Sequence, residues 1–246
     1  MSAASFCKHR LSIITGHYGT GKTEFSVNLA LALASDGEQV MVADLDVVNP
    51  YFRSRERRTM LEEAGIQLIS SSQSCANADV PSLPAEVFTI LQNQNLRGVM
   101  DIGGDPVGAR VLARFQPQIV AQDYQLIYVL NANRPEVREV EDAISYMRAI
   151  EATTGLTCTG IVNNTHLCGE TTEEEIRKGA DLAHAVSKET GVPVLCHVAV
   201  DRLAPNLSDL PETVFPITIK MKKAVGITAK GEGGPHHYGC KGNIQR

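Results

Sequence analysis

The sequence has no tryptophan, only 5% aromatic residues and no C-x-x-C pair. Its six cysteines are scattered, at positions 7, 75, 158, 168, 196 and 240. This scatter excludes a disulfide framework and is typical of a chain kept in a reducing compartment. No apolar run approaches the ~18 residues that cross a bilayer, and the first ten residues lack the apolar core of a signal peptide. We therefore expect a soluble, cytoplasmic protein.

The chain also lacks an excess of positive charge. It carries 23 Lys and Arg against 28 Asp and Glu, a formal net charge of −5, so no general DNA-binding surface is expected. Its 246 residues are 43% hydrophobic, enough for one large core. We expect one domain over residues 1–228, followed by a tail, residues 229–246, that contains glycine, histidine and cysteine.

What the sequence does have is a regular alternation of apolar runs and helical patterns. Strand-like runs lie near 10–15, 40–45, 66–70, 98–102, 124–131, 157–163, 193–198 and 214–219. Helical patterns lie near 22–36, 54–64, 83–95, 107–115, 135–152 and 172–190. The alternation predicts an α/β fold of three layers, a mainly parallel sheet with helices on both faces.

Residues 16–23 read G-x-x-x-x-G-K-T, between the first apolar run and the first helical pattern. Strand, glycine-rich loop and helix form the context of a phosphate-binding loop, whose backbone N–H groups and helix N-terminus attract anions. Lys22 is expected to reach the β- and γ-phosphates, and the Thr23 hydroxyl to bind Mg²⁺. The residues predicted to bind nucleotide here are Gly16, Gly19, Thr20, Gly21, Lys22, Thr23 and Glu24.

The apolar run 40–45 leads into a D-x-D pair, Asp44 and Asp46. Alternation along a strand turns both carboxylates to one side, at the edge where open α/β sheets bind ligands. One can hold a metal-bound water while the other positions or deprotonates the attacking nucleophile. The alternative, a solvated strand end, is disfavoured by the phosphate loop one helix upstream.

The run that ends at Asp101, followed by Gly103 and Gly104, has the form of a Walker B element. Asp101 is expected behind the Mg²⁺, and the glycine backbone is expected to approach the γ-phosphate and to change shape when it leaves. Asp105 either takes part in this site or caps the helix that begins near Pro106.

Taken in order, these stretches resemble the MinD/ParA group of P-loop ATPases. The group includes the nitrogenase iron protein, arsenical-pump and Mrp-type ATPases, CooC-like nickel insertion factors and relatives of cobyrinic acid diamide synthase. The likeness in element order covers roughly residues 10–220. It implies ATP and Mg²⁺ as ligands, with Lys22 and Asp46 as catalytic residues and Thr23, Asp44 and Asp101 at the metal. The implied switch residues are Asp46, Asn49, Gly103 and Gly104.

The loop departs from the group's usual K-G-G-x-G-K-[ST]. His17 stands where the group has a lysine that crosses to the partner subunit's nucleotide, and Tyr18 replaces the next glycine. His17 either takes a pH-dependent version of that role or packs at the edge of the loop. The departure leaves a homodimer open and does not affect nucleotide binding.

By the same resemblance, Asn163 or Asn164, at the end of the sixth apolar run, contacts adenine. The absence of an N-K-x-D element favours ATP over GTP. Asp201 and Arg202, after the seventh run, are a second candidate for the base pocket, unless Asp201 caps a helix.

Three further groups leave their function open. The arginines near 53–58 and the segment 133–135 either face the site or a partner, or form a solvated surface. In the tail, a few soft ligands either bind a transition metal or are incidental. These tail residues are His236, His237 and Cys240.

The sequence thus predicts an accessory or maturation ATPase that acts as a switch on a protein partner, such as a metalloenzyme or a cofactor-assembly protein. The alternative is an ATP-dependent ligase that activates a carboxylate, similar to dethiobiotin synthetase or cobyrinic acid diamide synthase. Dethiobiotin synthetase-like chains carry a lysine in a G-[YF]-K-P element where this chain reads A-D-L-D-V-V-N-P. A third possibility is a nucleotide-binding scaffold that does not hydrolyse.

Overall fold

The computed structural model describes residues 5–46, 58–70 and 87–220. Eight strands form one sheet in the order β3-β2-β4-β1-β5-β6-β7-β8, and each neighbouring pair is parallel. The strands are β1 Leu11–Thr15, β2 Val40–Leu45, β3 Gln67–Ser70, β4 Arg97–Ile102, β5 Tyr124–Leu130, β6 Gly160–Asn163, β7 Val194–Val200 and β8 Thr213–Ile217. All eight strands predicted from the apolar runs are confirmed.

Helices cover both faces of this sheet. The α-helices are α1 Lys22–Ser35, α2 Arg58–Glu63, α3 Val87–Gln92, α4 Pro106–Ala109, α5 Gln116–Val120, α6 Val140–Thr154 and α7 Glu173–Thr190. Short 3₁₀ turns lie at Arg110–Phe115, Pro135–Val137, Cys168–Glu170 and Ala204–Leu207. Within these ranges, none of the helices combines the length and the apolar character that a membrane crossing requires.

The central strands are buried on both faces, as their unbroken apolar runs predict. On one face, Ile13 and Tyr128 share a core with residues of α3, α6 and α7. On the other, Ile14 and Ile127 pack with α1, α2 and the last strands. Two separate cores on one sheet confirm the expected three-layer α/β architecture.

The helices follow from local sequence features. In α6, the buried residues Ala143, Met147 and Ile150 are spaced by three or four, so one side of the helix faces the sheet. Helix α7 is capped at its N-terminus by Thr172, whose hydroxyl accepts a hydrogen bond from the Glu175 N–H at 3.4 Å. It ends at Gly191, which has a left-handed φ of 74°.

The prediction of one helix over 107–115 is wrong. Helix α4 ends at Ala109 and a 3₁₀ turn continues to Phe115, after which α5, which was not predicted, begins. Gly108 weakens the α-helix near its start. Pro117 lies in the first turn of α5, where its missing N–H is tolerated, but it cannot continue a helix that arrives from before it.

The sheet order brings the three predicted motifs together. Strand β4 lies between β1 and β2, so the phosphate loop after β1 adjoins both predicted aspartate sites. Asp44 on β2 and Asp101 on β4 are direct partners in register, and Ile14 of β1 is paired with Asp101. All three motifs therefore meet at the carboxyl edge of the sheet.

Candidate nucleotide-binding site

The segment between β1 and α1 folds as a phosphate cradle. Gly19 and Gly21 have φ of 75° and 84°, in the left-handed region that strains other residues. A Cβ on Gly21 would also lie 2.4 Å from the amide nitrogen of Asn164, which leaves no space for a side chain. The loop ends on the first turn of α1, where the N–H groups and the helix dipole favour an anion.

Neighbouring strand ends hold this loop in place. The Thr20 hydroxyl donates to the His17 carbonyl at 2.9 Å. Arg134, after β5, donates through Nε to the Gly19 carbonyl at 2.7 Å, and Asn164, after β6, donates to the Thr20 carbonyl at 2.7 Å. The segment 133–135 therefore does reach the site, through Arg134.

Lys22 begins α1 and folds back over the loop. It is 6% exposed, and its ammonium donates to the His17 carbonyl at 3.2 Å. Burial lowers the pKa of Lys22, while the charges of Asp101, Asp46 and Asp105 oppose this shift. A buried cation beside carboxylates is placed to bind phosphate oxygens strongly.

Asp101 is 2% exposed and lies against Asp44. Burial, together with the Asp44 charge, raises the pKa of Asp101 to about 7, although a hydrogen bond with Thr23 and the charge of Lys22 act in the opposite direction. The Ser26 hydroxyl donates to Oδ1 of Asp101 at 3.3 Å. Among the described residues, the other oxygen, Oδ2, is buried without a hydrogen-bond partner.

This environment fits a divalent cation. Burial, and next the Asp44 charge, disfavour the ionised form of Asp101, and a cation beside the two carboxylates would offset both effects. A buried carboxylate oxygen without a donor is costly, and a cation removes that cost. Carboxylates beside the Thr23 hydroxyl are hard oxygen ligands of the kind Mg²⁺ prefers. The donor set predicted from the sequence therefore suits the predicted metal.

The residues that follow the two aspartate strands also meet here. The Asp46 N–H donates to Oδ1 of Asp44 at 3.3 Å. Oδ1 of Asp46 would lie 3.3 Å from a Cβ on Gly103, and Nζ of Lys22 would lie 2.6 Å from a Cβ on Gly104. Three of the four predicted switch residues therefore lie within one small region.

Asp105 caps α4, one of the two roles that the sequence left open for it. Its Oδ1 accepts from the Gly108 N–H at 2.6 Å, as an N-terminal cap does. Its charge also acts on Lys22, so the cap lies close to the phosphate loop.

A family model for the CobQ/CobB/MinD/ParA nucleotide binding domain matches residues 11–202, most of the chain and all of the geometry above. The chain belongs to this family. The match confirms the MinD/ParA resemblance. A search of curated protein sequences found no match.

Solved structures place this MinD/ParA-type domain in the wider P-loop fold. The signal recognition particle receptor FtsY from Elizabethkingia anophelis is 19% identical with a TM-score of 0.50, over 76% of this chain and 56% of that chain. Signal recognition particle 54 kDa protein from Aeropyrum pernix K1, in complex with GDP, is 20% identical with a TM-score of 0.51, over 79% and 42%. FtsY from Thermotoga maritima is 18% identical with a TM-score of 0.51, over 75% and 59%. The domain thus spans 42% to 59% of the length of these proteins, and they show its fold alone.

The two asparagines predicted to contact the base have different surroundings in this MinD/ParA-type domain. Asn164 contacts the phosphate loop, as described above. The amide of Asn163 faces the interior, where it donates to the Ile176 carbonyl at 2.9 Å and accepts from the Thr165 N–H at 3.0 Å. Its second N–H points to Nδ1 of His197 at 3.2 Å. The structure therefore brings Asn164, and not Asn163, to the loop.

The orientation of Asn163 also determines the tautomer of His197. Because the Asn163 N–H faces Nδ1, that nitrogen accepts, and Nε2 carries the proton that His197 donates to Glu212 at 2.8 Å. His184 lies 2.9 Å from the same Glu212 oxygen. These three side chains are close enough to hold a metal ion, but a metal on Nε2 of His197 requires the other tautomer. The group is a hydrogen-bonded link between α7, β7 and the start of β8.

Glu24 and Asp201 bond to the chain after β8. Oε1 of Glu24 accepts from the Lys220 N–H at 2.7 Å and from the Asn28 amide at 3.1 Å. Oδ2 of Asp201 accepts from the Thr218 hydroxyl at 2.7 Å, and the 3₁₀ turn that follows begins after Leu203 without a side-chain cap, so Asp201 does not cap it. Arg202 turns to the Thr171 carbonyl at 2.9 Å. The predicted contacts of Glu24, Asp201 and Arg202 with a nucleotide stay predictions.

Two contacts with the site were not predicted from the sequence. Tyr146 of α6 donates its hydroxyl to the Gly104 carbonyl, and its ring packs against His17 at a centroid distance of 5.0 Å. His166 lies after β6, with Nε2 3.0 Å from where a Cβ on Gly21 would be. No sequence pattern marks either Tyr146 or His166 as a residue of the site.

Some predictions concern residues outside the described ranges. They are Asn49, the arginines at 53, 55 and 57, and the tail 229–246 with its domain boundary. These stay predictions. Arg58, the last of the arginines, lies on α2 at 3.5 Å from Glu62, one turn along the helix, which agrees with a solvated helix surface.

The position of His166 leads to an expected pH dependence of stability. Burial, and next the Arg134 charge, lower the pKa of His166 to about 4. Near pH 6.5, the ordinary pKa of histidine, the unfolded chain binds a proton that the folded protein does not bind. The free energy of unfolding therefore falls as pH drops below about 6.5. We expect His166 to account for a loss of about 1–2 kcal/mol between pH 7 and pH 5.

Urea unfolding of wild type and His166→Gln at both pH values measures this effect. The variant should lose less stability than wild type between pH 7 and pH 5. The variant should keep the loss of stability that is due to His197, because burial also lowers the pKa of His197. Equal losses in both proteins would show that His166 titrates normally.

Proposed function

We propose that this domain binds ATP with Mg²⁺ and hydrolyses it, as a molecular switch that acts on a partner protein. The observation that carries the proposal is the buried Lys22, held over the phosphate loop and close to the charges of Asp101 and Asp46. Family membership supports nucleotide binding. The preference for ATP follows from the missing N-K-x-D element.

In this proposal, the loop N–H groups and Lys22 bind the phosphates, and the base lies near Asn164. The residues assigned to the nucleotide are Gly16, Gly19, Thr20, Gly21, Lys22, Thr23, Glu24 and Asn164. Thr23, Asp44 and Asp101 hold the Mg²⁺. When bound, Mg²⁺ neutralises charge that develops on the phosphate oxygens.

Asp46 orients the attacking water and accepts its proton. Its position one residue beyond β2, with the carboxylate close to Gly103 and acting on Lys22, supports this proposed role. Loss of the γ-phosphate then changes the segments after Asp46 and Asp101, which contain Asn49, Gly103 and Gly104, and so alters the affinity for a partner. We propose an accessory or maturation ATPase, whose partner is a metalloenzyme or a cofactor-assembly protein.

Phosphate release by Asp46→Asn tests the hydrolytic step. The substitution keeps the shape of the side chain but removes the base, so release should slow by about 10²-fold while ATP affinity changes little. Asp181→Asn, on the exposed surface of α7, is the matched control and should hydrolyse at the wild-type rate. Both variants are assayed with Mg-ATP, alone and with protein fractions of a cell extract.

The outcomes separate the alternatives. Stimulation by a protein fraction, lost in Asp46→Asn, supports the partner-coupled switch. Stimulation only by small molecules, with phosphate release tied to a new amide, supports the carboxylate-activating ligase instead. Tight ATP binding without phosphate release, by wild type under every condition, would support the scaffold that does not hydrolyse. Equal rates for Asp46→Asn and wild type would exclude Asp46 from catalysis.

A further inference from the structure

The turn after β4 rests directly on the phosphate loop. A Cβ on Gly104 would lie 2.6 Å from Nζ of Lys22 and 3.0 Å from the backbone nitrogen of Tyr18. Real Cβ atoms essentially never come within 3.0 Å of another atom, so no side chain fits between the Gly104 backbone and the Lys22 ammonium. A γ-phosphate bound by Lys22 on this side requires Gly104 to move away.

The Tyr146 hydroxyl holds Gly104 in this position. It donates to the Gly104 carbonyl from α6, 42 residues further along the chain. The Tyr146 ring is fixed on two sides, by the edge of His17 at 5.0 Å and by a stacked Tyr128 at 6.5 Å. Burial, and then the Asp105 charge, raise the pKa of Tyr146 above its usual range, so the hydroxyl remains a neutral donor.

The surroundings of Tyr146 also contain unused hydrogen-bonding groups. Among the described residues, the hydroxyls of Tyr128 and Thr15 are buried without a partner. The two residues are paired in register on β5 and β1, directly under the phosphate loop. Tyr128 stacks on Tyr146 at a centroid distance of 6.5 Å, so this buried group under the loop extends to the Tyr146 ring.

We propose that Tyr146 determines how strongly the site prefers a nucleoside triphosphate over a diphosphate. Its hydroxyl holds Gly104 on Lys22, a position compatible with a diphosphate in the loop. A γ-phosphate separates the two and breaks the hydrogen bond, and α6 thereby senses which nucleotide is bound. This inference rests on the proposed function in one respect, that the γ-phosphate binds between Lys22 and Gly104.

The expected effect follows from the populations of the two positions. If only the displaced position of Gly104 accepts a triphosphate, apparent triphosphate affinity is reduced by the fraction of molecules in that position. Removing one neutral hydrogen bond raises this fraction by roughly three- to tenfold. Tyr146→Phe should therefore bind a non-hydrolysable Mg-ATP analogue three- to tenfold more tightly than wild type, with unchanged Mg-ADP affinity.

Titration calorimetry of wild type, Tyr146→Phe and Tyr124→Phe with both nucleotides makes the measurement. Tyr124 is the matched control, since it lies at the start of β5, away from the loop, and its hydroxyl accepts from the Thr157 N–H at 3.4 Å. Tyr124→Phe should leave the affinities for both nucleotides unchanged. The proposal is overturned if Tyr146→Phe weakens the binding of both nucleotides equally, or if it leaves the ratio of the two affinities unchanged. Failure of wild type to bind either nucleotide overturns the proposed function instead.

Hydrogen exchange of the wild-type protein gives a second test that needs no variant. The triphosphate analogue should increase amide exchange in the Gly103–Gly104 turn and in α6, residues 140–154, relative to ADP. Identical exchange of these segments with the two nucleotides contradicts a sensor in α6.

Discussion

Lys22→Met is expected to lower ATP affinity by about 10³-fold, since breaking a buried charged interaction costs about 3–5 kcal/mol. Methionine preserves most of the length and packing of the side chain but removes the ammonium. Lys22 is buried and offsets the charges of Asp101, Asp46 and Asp105. Without it, these carboxylates repel the phosphates that the loop N–H groups attract. The loss therefore exceeds that of a single hydrogen bond.

Titration calorimetry measures the loss, and the shift of the unfolding temperature by saturating ATP checks it independently. Lys188→Met is the control, because Lys188 is exposed in the last turn of α7 and should keep wild-type affinity. If Lys22→Met bound ATP as tightly as the control, the loop would not be the nucleotide site.

The strands and the phosphate loop could be predicted because their causes are local. An apolar run such as residues 124–131 remains buried in any arrangement of a parallel sheet. Position 21 requires glycine because its backbone is left-handed and leads into the N-terminus of α1. Adjacent residues determine both features. The joint position of Asp44 and Asp101 follows once both strands are placed in one sheet, because parallel strands end at the same edge.

The choice between Asn163 and Asn164 could not be made from the sequence. Successive residues at a strand end point to opposite faces, so Asn163 and Asn164 cannot both reach the loop. Strand β6 is buried along its whole length, and no alternation of apolar and polar residues therefore marks which of its faces the loop lies on. Local pattern placed both asparagines at the correct edge, whereas tertiary pairing determined which one faces the loop.

For a related reason, the sequence left open whether the segment 133–135 faces the site and did not mark Tyr146. Arg134 reaches Gly19 and Tyr146 reaches Gly104 across large separations in sequence. Each contact depends on how a later element packs on the sheet. In α6, the buried residues predict which side of the helix faces the core, but they do not predict that Tyr146 meets the turn after β4.

Gly179→Ala is expected to destabilise the protein by about 2–4 kcal/mol, the sum of overpacking and a disrupted buried hydrogen bond. Gly179 lies in α7, where alanine on its own favours the helix by about 1 kcal/mol. A Cβ there, however, would lie 2.0 Å from the Thr165 hydroxyl and 2.2 Å from Oδ1 of Asn163. Both atoms belong to the buried end of β6, so the helix must move outward or the strand end must rearrange.

Urea unfolding of Gly179→Ala beside Gly37→Ala separates this clash from ordinary glycine effects. Gly37 has a left-handed φ of 89° and nothing within 4 Å of its missing Cβ, so alanine there should cost only about 1–2 kcal/mol of backbone strain. Asn164, the residue after Asn163, donates to the Thr20 carbonyl in the loop, so a shift of Asn163 in the variant also moves this contact. Gly179→Ala should therefore also weaken ATP binding, although it lies outside the nucleotide site. A variant as stable as wild type, with unchanged affinity, would show that α7 does not hold the end of β6 against the phosphate loop.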